Sequence, residues 1–261
     1  MNKIDLCNKE NGNIDYEIIH FPDEQAHIKL LSEMSHKQSV EVNVRITSAE
    51  WLFLLMQVLD ICNRHGMKPI VKIWYLMGAR MDRVMNFNEP FTLRIVMDML
   101  NMYDADFFVI EPHNYKIIEC ANWGKLSANS IPDTDIVCYP DEGAKNRYIC
   151  DIRKPFIFCN KKRNLNTGKL SGFELNLRGH DINGKNVLVI DDLCDGGGTF
   201  CGIAPLIRNH KPKSISLCVT HAIQRDGILK VAALYNKVYI TNSYKDWQNE
   251  SLPENVAVKV W

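Results

Sequence analysis

The sequence predicts an α/β fold built on mostly parallel sheets, and three observations carry that prediction. Short apolar runs of strand length alternate with helix-length amphipathic stretches. The run Val187-Leu188-Val189-Ile190 is apolar throughout, as a strand buried on both faces should be. Chemistry-bearing residues follow such runs directly, where open α/β sheets bind their ligands.

In chain order, Tyr16–His20 and His27–Leu30 are strand-like and flank a turn at Phe21-Pro22-Asp23-Glu24. Val40–Ile46 alternates and predicts a half-buried strand. Thr47 or Ser48 caps a helix from Ala49 to about His65, which Gly66 ends. Ile70–Tyr75 is a strand, Pro90–Tyr103 a helix and Phe107–Ile110 a strand. A second set follows at Ile136–Tyr139, Phe156–Cys159, Val187–Ile190, Ser214–Val219 and Lys237–Ile240. The stretch Gly124–Pro132, rich in Ser, Asn and Gly, is the expected break between two halves, 1–126 and 127–261. Little strand or helix signal precedes Tyr16.

Composition sets the outer limits. A chain of 261 residues with 46% apolar residues can bury a full core. Lysine plus arginine balances aspartate plus glutamate, so no long-range attraction to nucleic acid or an anionic membrane is expected. No apolar run approaches the roughly 20 residues of a transmembrane helix, and Met1–Asp5 has no signal-peptide core. Nine cysteines, odd in number and scattered, argue against a disulfide framework and a zinc site; reduced cytoplasmic thiols are expected. Cys194 stands out by position, with a small filler preferred over a reactive thiol.

The most informative stretch is Asp191-Asp192-Leu193-Cys194-Asp195-Gly196-Gly197-Gly198-Thr199, following the Val187–Ile190 strand. Paired carboxylates can accept sugar hydroxyls. A glycine turn lets backbone N–H groups close on a phosphate at a helix start. Other clusters follow strand-like runs: Arg80-Met81-Asp82-Arg83, Glu111-Pro112-His113-Asn114, Pro140-Asp141-Glu142-Gly143-Ala144 and Asn160-Lys161-Lys162-Arg163. Taken singly, the last reads as an ordinary solvated basic face, while the first fits equally a set of guanidinium forks for nucleotide phosphates or a helix-start salt-bridge cluster.

The Asp191–Thr199 pattern resembles the 5-phosphoribosyl diphosphate loop of the type I phosphoribosyltransferase fold. With the other clusters, and with Phe21-Pro22-Asp23, Thr220-His221 and Thr241-Asn242-Ser243, the chain resembles the ribose-phosphate diphosphokinases from about Tyr16 to Ser243. The resemblance implies two stacked phosphoribosyltransferase-type domains, the first on the ATP side, with the active site between them. It implies transfer of the β,γ-diphosphoryl group of ATP to the anomeric hydroxyl of ribose 5-phosphate, with AMP released. Lys161 and Arg163 then stabilise transition-state charge, and Asp191 and Asp192 take the ribose hydroxyls. Asp195, Gly196, Gly197, Gly198 and Thr199 hold the 5-phosphate. Phe21, Asp23, Arg80, Asp82, Arg83 and His113 serve ATP, while His113 and Asp141 serve Mg²⁺. A homo-oligomer of even order, dimer to hexamer, is implied by the adenine loop, which a neighbouring subunit contributes in the family.

The chain departs from the family pattern in places. The family's usual first strand and helix are expected to be missing or replaced. The adenine loop, Phe21-Pro22-Asp23-Glu24-Gln25, lacks the usual glycine, Met81 replaces a glutamine, and Asp141–Ala144 lacks a second glycine. Gly196-Gly197-Gly198 resembles the loop of compact phage and plasmid NAD-salvage forms, which implies ADP-ribose as an alternative acceptor. A phosphoribosyltransferase would explain the loop but not Arg80–Arg83, His113 or Lys161 and Arg163. A non-catalytic regulator would not be expected to keep Lys161, Arg163, Asp191 and Asp192.

Overall fold

Apolar strands followed by capped helices arrange themselves here into two compact units, Met1–Lys125 and Leu126–Trp261. The computed structural model describes residues 1–32, 39–114, 121–124, 132–163 and 170–260; at 121–124, 161–163, 170 and 171 it describes the backbone. The expected break at Gly124–Pro132 falls largely outside the described residues.

In the first unit, β1 (Asn2–Asp5), β4 (Val40–Ile46), β5 (Ile70–Leu76), β6 (Asp106–Ile110) and β7 (Ala121–Gly124) form a parallel sheet in that order. A hairpin of β2 (Tyr16–His20) and β3 (Ala26–Leu30) stands apart from it. Two helices follow strands of the sheet, α1 (Ala49–Arg64) after β4 and α2 (Thr92–Leu100) after β5. Ser48 Oγ accepts from Trp51 N–H at 3.4 Å and starts α1, while Gly66, at φ 68°, allows the chain to turn away after it. Leu52, Leu55, Val58, Leu59 and Cys62 recur at helical spacing and are buried in one core with Val42, Val44, Val71 and Ile73. Gln57 ties α1 to the hairpin: its amide donates to Ala26 O at 2.9 Å and accepts from Ile28 N–H at 3.0 Å.

Two expectations change here. The N-terminal residues do supply a strand: β1 pairs in parallel with β4, Asn2 opposite Val40 and Asp5 opposite Asn43. Its sequence, Asn-Lys-Ile-Asp, offers one apolar residue, so only edge pairing reveals it. With β1 and β5 on its two sides, β4 is nearly fully buried rather than half-buried, Asn43 included. Asn43 Nδ2 donates to Asp5 Oδ2 at 3.3 Å, which answers the polar group that this burial would strand.

In the second unit seven strands lie in the order β10-β9-β8-β11-β12-β13-β14. They are β8 (Ile136–Tyr139), β9 (Phe156–Arg163), β10 (Leu170–Asn176), β11 (Asn186–Cys194), β12 (Ser214–Ala222), β13 (Lys237–Thr241) and β14 (Val256–Lys259). All pairings are parallel except β9 with β10 at one edge. Helices α3 (Glu142–Tyr148), α4 (Gly198–Arg208) and α5 (Arg225–Ala232) join them. One face carries a core of Val187, Val189, Phe200, Ile203, Ile228 and Val231 with α4 and α5. The other carries Leu188, Ile190, Tyr139 and Tyr148 with α3. Strand order reverses between β8 and β11, so a crevice opens beyond their carboxyl ends. Among the described residues, no helix is long and apolar enough to cross a membrane.

Candidate active site

The crevice at β8 and β11 is where the acidic pair lies. Strand β11 runs further than the apolar run alone predicts, through Cys194, and so carries both aspartates within the sheet. Asp191 is opposite Val219 of β12, and Leu193 is opposite His221. Asp191 and Asp192 are 9% and 2% exposed. Between them reaches Arg147, near the end of α3, with Nη2 2.8 Å from Asp191 Oδ1 and 2.7 Å from Asp192 Oδ1. Asp191 Oδ1 also accepts from Asp192 N–H at 2.9 Å. Burial and the neighbouring Asp192 charge push the Asp191 carboxyl well above the usual carboxylate range, with Arg147 pulling the other way. Burial works against the charge on Arg147, but Asp192 and Asp191 raise its pKa above the ordinary arginine value.

The chain then turns through Asp195-Gly196-Gly197 into α4. Gly197 sits at φ 78°, a left-handed conformation that glycine adopts without strain, and gives α4 no side-chain cap. The first N–H groups of α4 are thereby left to the loop, the usual provision for an anion. Around Gly196 and Gly198 a Cβ would meet no atom within 4 Å, whereas at Gly197 it would press on Gly227 O and Val231 Cγ1, both at 3.0 Å. Thr199 follows in the first turn of α4, partly exposed.

Three residues outside the sequence motifs complete this half. Arg147 is the first. Gly227 in α5 lies so close to the loop that a Cβ there would collide with the Asp195 carbonyl oxygen. Gln224, just before α5, donates from Nε2 to Asp195 Oδ1 at 2.8 Å. None stands at a strand end or in a glycine run, so no local signal marks them. Nearby, His221 Nδ1 and Ser243 Oγ lie 2.9 Å apart, and the Ser243 and Thr241 hydroxyls both donate to Thr220 O, at 2.9 and 2.8 Å. The Thr220-His221 and Thr241–Ser243 motifs thus join the ends of β12 and β13. Cys194 is buried, and burial pushes its thiol up to about 12, which fits the filler role.

Asp141 caps α3, its Oδ1 accepting from Ala144 N–H at 3.0 Å. Lys161 and Arg163 belong to β9 itself rather than to a loop after it, with backbones opposite Phe173 and Leu170 of β10; their side chains lie outside the described atoms.

In the first unit, two clusters distant in sequence come together. Asn114 Nδ2 donates to Asp82 Oδ2 at 2.7 Å, and Arg83 grips the same carboxylate through Nε (2.8 Å) and Nη2 (2.9 Å). The hydrogen bonds from Arg83, with smaller help from Asn114, hold the Asp82 carboxyl below the usual range despite burial. Both oxygens of Asp82 thus accept hydrogen bonds from within the protein. The pair lies in the connection between β5 and α2, not at a helix start. His113 follows Glu111, which is buried with its backbone at φ 44°. Phe21 and Asp23 occupy the β2–β3 turn: Phe21 is half exposed, and Asp23 Oδ1 accepts from Gln25 N–H at 3.3 Å. Phe21 also borders a groove of about 920 Å³ with Ile28, Phe53, Met56, Arg64 and Tyr103.

Among the described residues, no three His, Cys, Asp or Glu side chains gather as a metal cage. Mg²⁺ does not demand one, because it keeps waters and is held by one or two carboxylates together with substrate phosphates.

This architecture is that of the phosphoribosyltransferase fold. The Phosphoribosyl transferase domain model matches residues 147–257. A phosphoribosylpyrophosphate synthetase from Mycobacterium smegmatis superposes with a TM-score of 0.77 over 95% of this chain and 86% of that one, at 19% identity. Within that class, the chain is similar to proteins named ribose-phosphate pyrophosphokinase. Such an enzyme from Pyrococcus abyssi is 28% identical over 250 residues, covering 89% of this chain and 86% of its own. One from Pyrococcus furiosus is 25% identical over 252 residues, covering 90% and 88%.

Proposed function

We propose that this protein transfers the β,γ-diphosphoryl group of ATP to the anomeric hydroxyl of ribose 5-phosphate, yielding 5-phosphoribosyl 1-diphosphate and AMP. The observation that carries the reading is the acidic pair of β11 running straight into an uncapped glycine turn at the β8/β11 crevice. Two carboxylates suit a sugar diol, and free N–H groups one turn away suit a phosphate on the same sugar. The relatives named ribose-phosphate pyrophosphokinase support the same reaction.

Asp191 and Asp192 orient the sugar so that its anomeric oxygen is presented for in-line attack. Gly196–Thr199, with Asp195 braced by Gln224, hold the 5-phosphate. Negative charge grows on the oxygen bridging to AMP as the old bond breaks, and positioned cations lower that cost. Lys161 and Arg163 take this role. Arg80 and Arg83 face the nucleotide phosphates, Asp82 aims Arg83, and Phe21 with Asp23 receives the base, in an even-numbered homo-oligomer. His113 and Asp141 are the residues that would hold Mg²⁺, which when bound neutralises phosphate charge. The thiols stay reduced in a cytoplasmic setting.

The test is AMP release from ATP and Mg²⁺ with ribose 5-phosphate or with ADP-ribose. AMP formed with ribose 5-phosphate is the expected result; AMP formed only with ADP-ribose would change the acceptor, and none with either would sink the reading. Lys161→Ala should lower kcat by on the order of 10²- to 10³-fold while sparing ATP binding. Unchanged turnover would remove Lys161 from its role.

A further inference from the structure

The two aspartates that receive the sugar are neighbours in sequence, both buried, and both bear like charge. Burial and mutual repulsion each favour protonation, and a protonated carboxyl has one acceptor fewer for a sugar hydroxyl. Among the described residues, Arg147 answers this with its positive charge. Arg147 is itself 8% exposed, and one of its terminal nitrogens lies within 2.8 Å of an oxygen on each carboxylate.

Its position in the chain fixes it further. Helix α3 is seven residues long. It starts on Asp141, whose carboxylate closes the first turn, and its last turn carries Arg147. One short rigid element therefore joins the Pro140–Gly143 turn after β8 to the carboxylates of β11.

We propose that Arg147 is a positioning residue for the acceptor sugar, holding Asp191 and Asp192 in the geometry that binds the diol. This rests on the assignment of that pair to the acceptor. In this role Arg147 acts through the carboxylates it bridges. Its loss should therefore be felt by one substrate and not the other.

The experiment measures KM for ribose 5-phosphate and for ATP in full-length wild type, Arg147→Ala, Arg147→Lys and Asp192→Asn. Arg147→Ala should raise the acceptor KM on the order of 10- to 100-fold, the penalty of misplacing binding groups. The KM for ATP should stay within about twofold. Guanidinium ion at millimolar concentration should restore part of the acceptor affinity, and Arg147→Lys, which keeps the charge without the planar fork, should fall between. An unchanged acceptor KM, or an equal rise in both KM values with no guanidinium response, overturns the proposal. If Arg147→Ala does not fold, Arg147→Lys decides on the same two KM values. Asp192→Asn separates the two readings. If it leaves the acceptor KM unmoved, the carboxylate assignment fails. If it raises that KM while the Arg147 variants do not, Arg147 alone loses its role.

Discussion

The two units solve the same problem differently. In the first, described strand order runs steadily across the sheet, β1-β4-β5-β6-β7, and the cluster of Arg80, Asp82 and Arg83 rides on the connection between β5 and α2. In the second, strand order reverses at β8 and β11, and the acidic pair is part of a central strand with hydrogen-bonded neighbours on both sides. Groups fixed on a strand are held more tightly than groups on a connection. The contrast extends to exposure. The Arg83 side chain is 66% exposed while that of Arg147 is 9% exposed, although each pairs with a carboxylate that is itself buried. A sugar diol must be met by fixed acceptors, whereas phosphates are met by cations that can follow them. The second unit should therefore be the less forgiving of small changes.

The largest effect expected from this contrast is at Gly227. A methyl group there would drive into the backbone of Asp195 and Gly196, and backbone atoms, unlike the end of a flexible side chain, cannot swing aside. Gly227→Ala should cost about 3 kcal/mol, the upper part of the overpacking range, and weaken ribose 5-phosphate binding more than ATP binding. Gly66→Ala in the first unit is its control. Gly66 is left-handed but surrounded by open space, so only backbone strain applies, about 1 kcal/mol. Urea unfolding of both variants measures the difference. Equal losses would mean that the loop is not braced by α5.

A smaller effect, and one that depends on pH, is expected at Asp82. Its carboxyl is held below the ordinary value of 3.8 in the folded protein. A depressed pKa contributes stability that is complete above the unfolded value and is lost as pH falls through the folded one. Asp82→Asn should thus lower the melting temperature at pH 7 and lose that deficit below about pH 3.8. It should also raise the KM for ATP, because Arg83 is no longer aimed. Thermal melts of both proteins from pH 7 to pH 3 check this; a deficit that persists unchanged into acid would assign the effect to packing instead.

The comparison also separates what was legible in the sequence from what was not. Apolar runs such as Val187–Ile190 and Ile136–Tyr139, and the capped helix after Ser48, announce themselves through local pattern. So do the loop aspartates and glycines, because their chemistry is concentrated in nine consecutive residues. Strand β1 does not, since its stability comes from Val40–Asn43 some 38 positions away. Arg147 and Gln224 are equally silent. Each is an ordinary polar residue near a short helix, and its meaning lies in a carboxylate 44 or 29 residues distant. Asp82 adds a mixed case: its own neighbour Arg83 pairs with it, as the motif suggests, but so does Asn114, 32 residues on. Local pattern reveals which groups are present, and tertiary contact decides which of them remain open to a ligand.

The smallest expected effect tests how helix starts are used. Helix α1 in the first unit closes its N-terminus with Ser48, while α4 in the second begins at Gly197 with no side-chain cap. If the first is structural and the second kept for a phosphate, their responses must differ in kind. Ser48→Ala should cost about 0.5–1 kcal/mol, the low side of the N-cap range, because the Oγ to Trp51 N–H distance is already long at 3.4 Å. That loss should be indifferent to inorganic phosphate or ribose 5-phosphate. Wild type and Ser48→Ala should instead be stabilised alike by either ligand, since binding to the folded state adds stability through the α4 end in both. Thermal melts with and without ligand give the comparison, and a ligand shift that is smaller in Ser48→Ala would show that the start of α1 also takes part in anion binding.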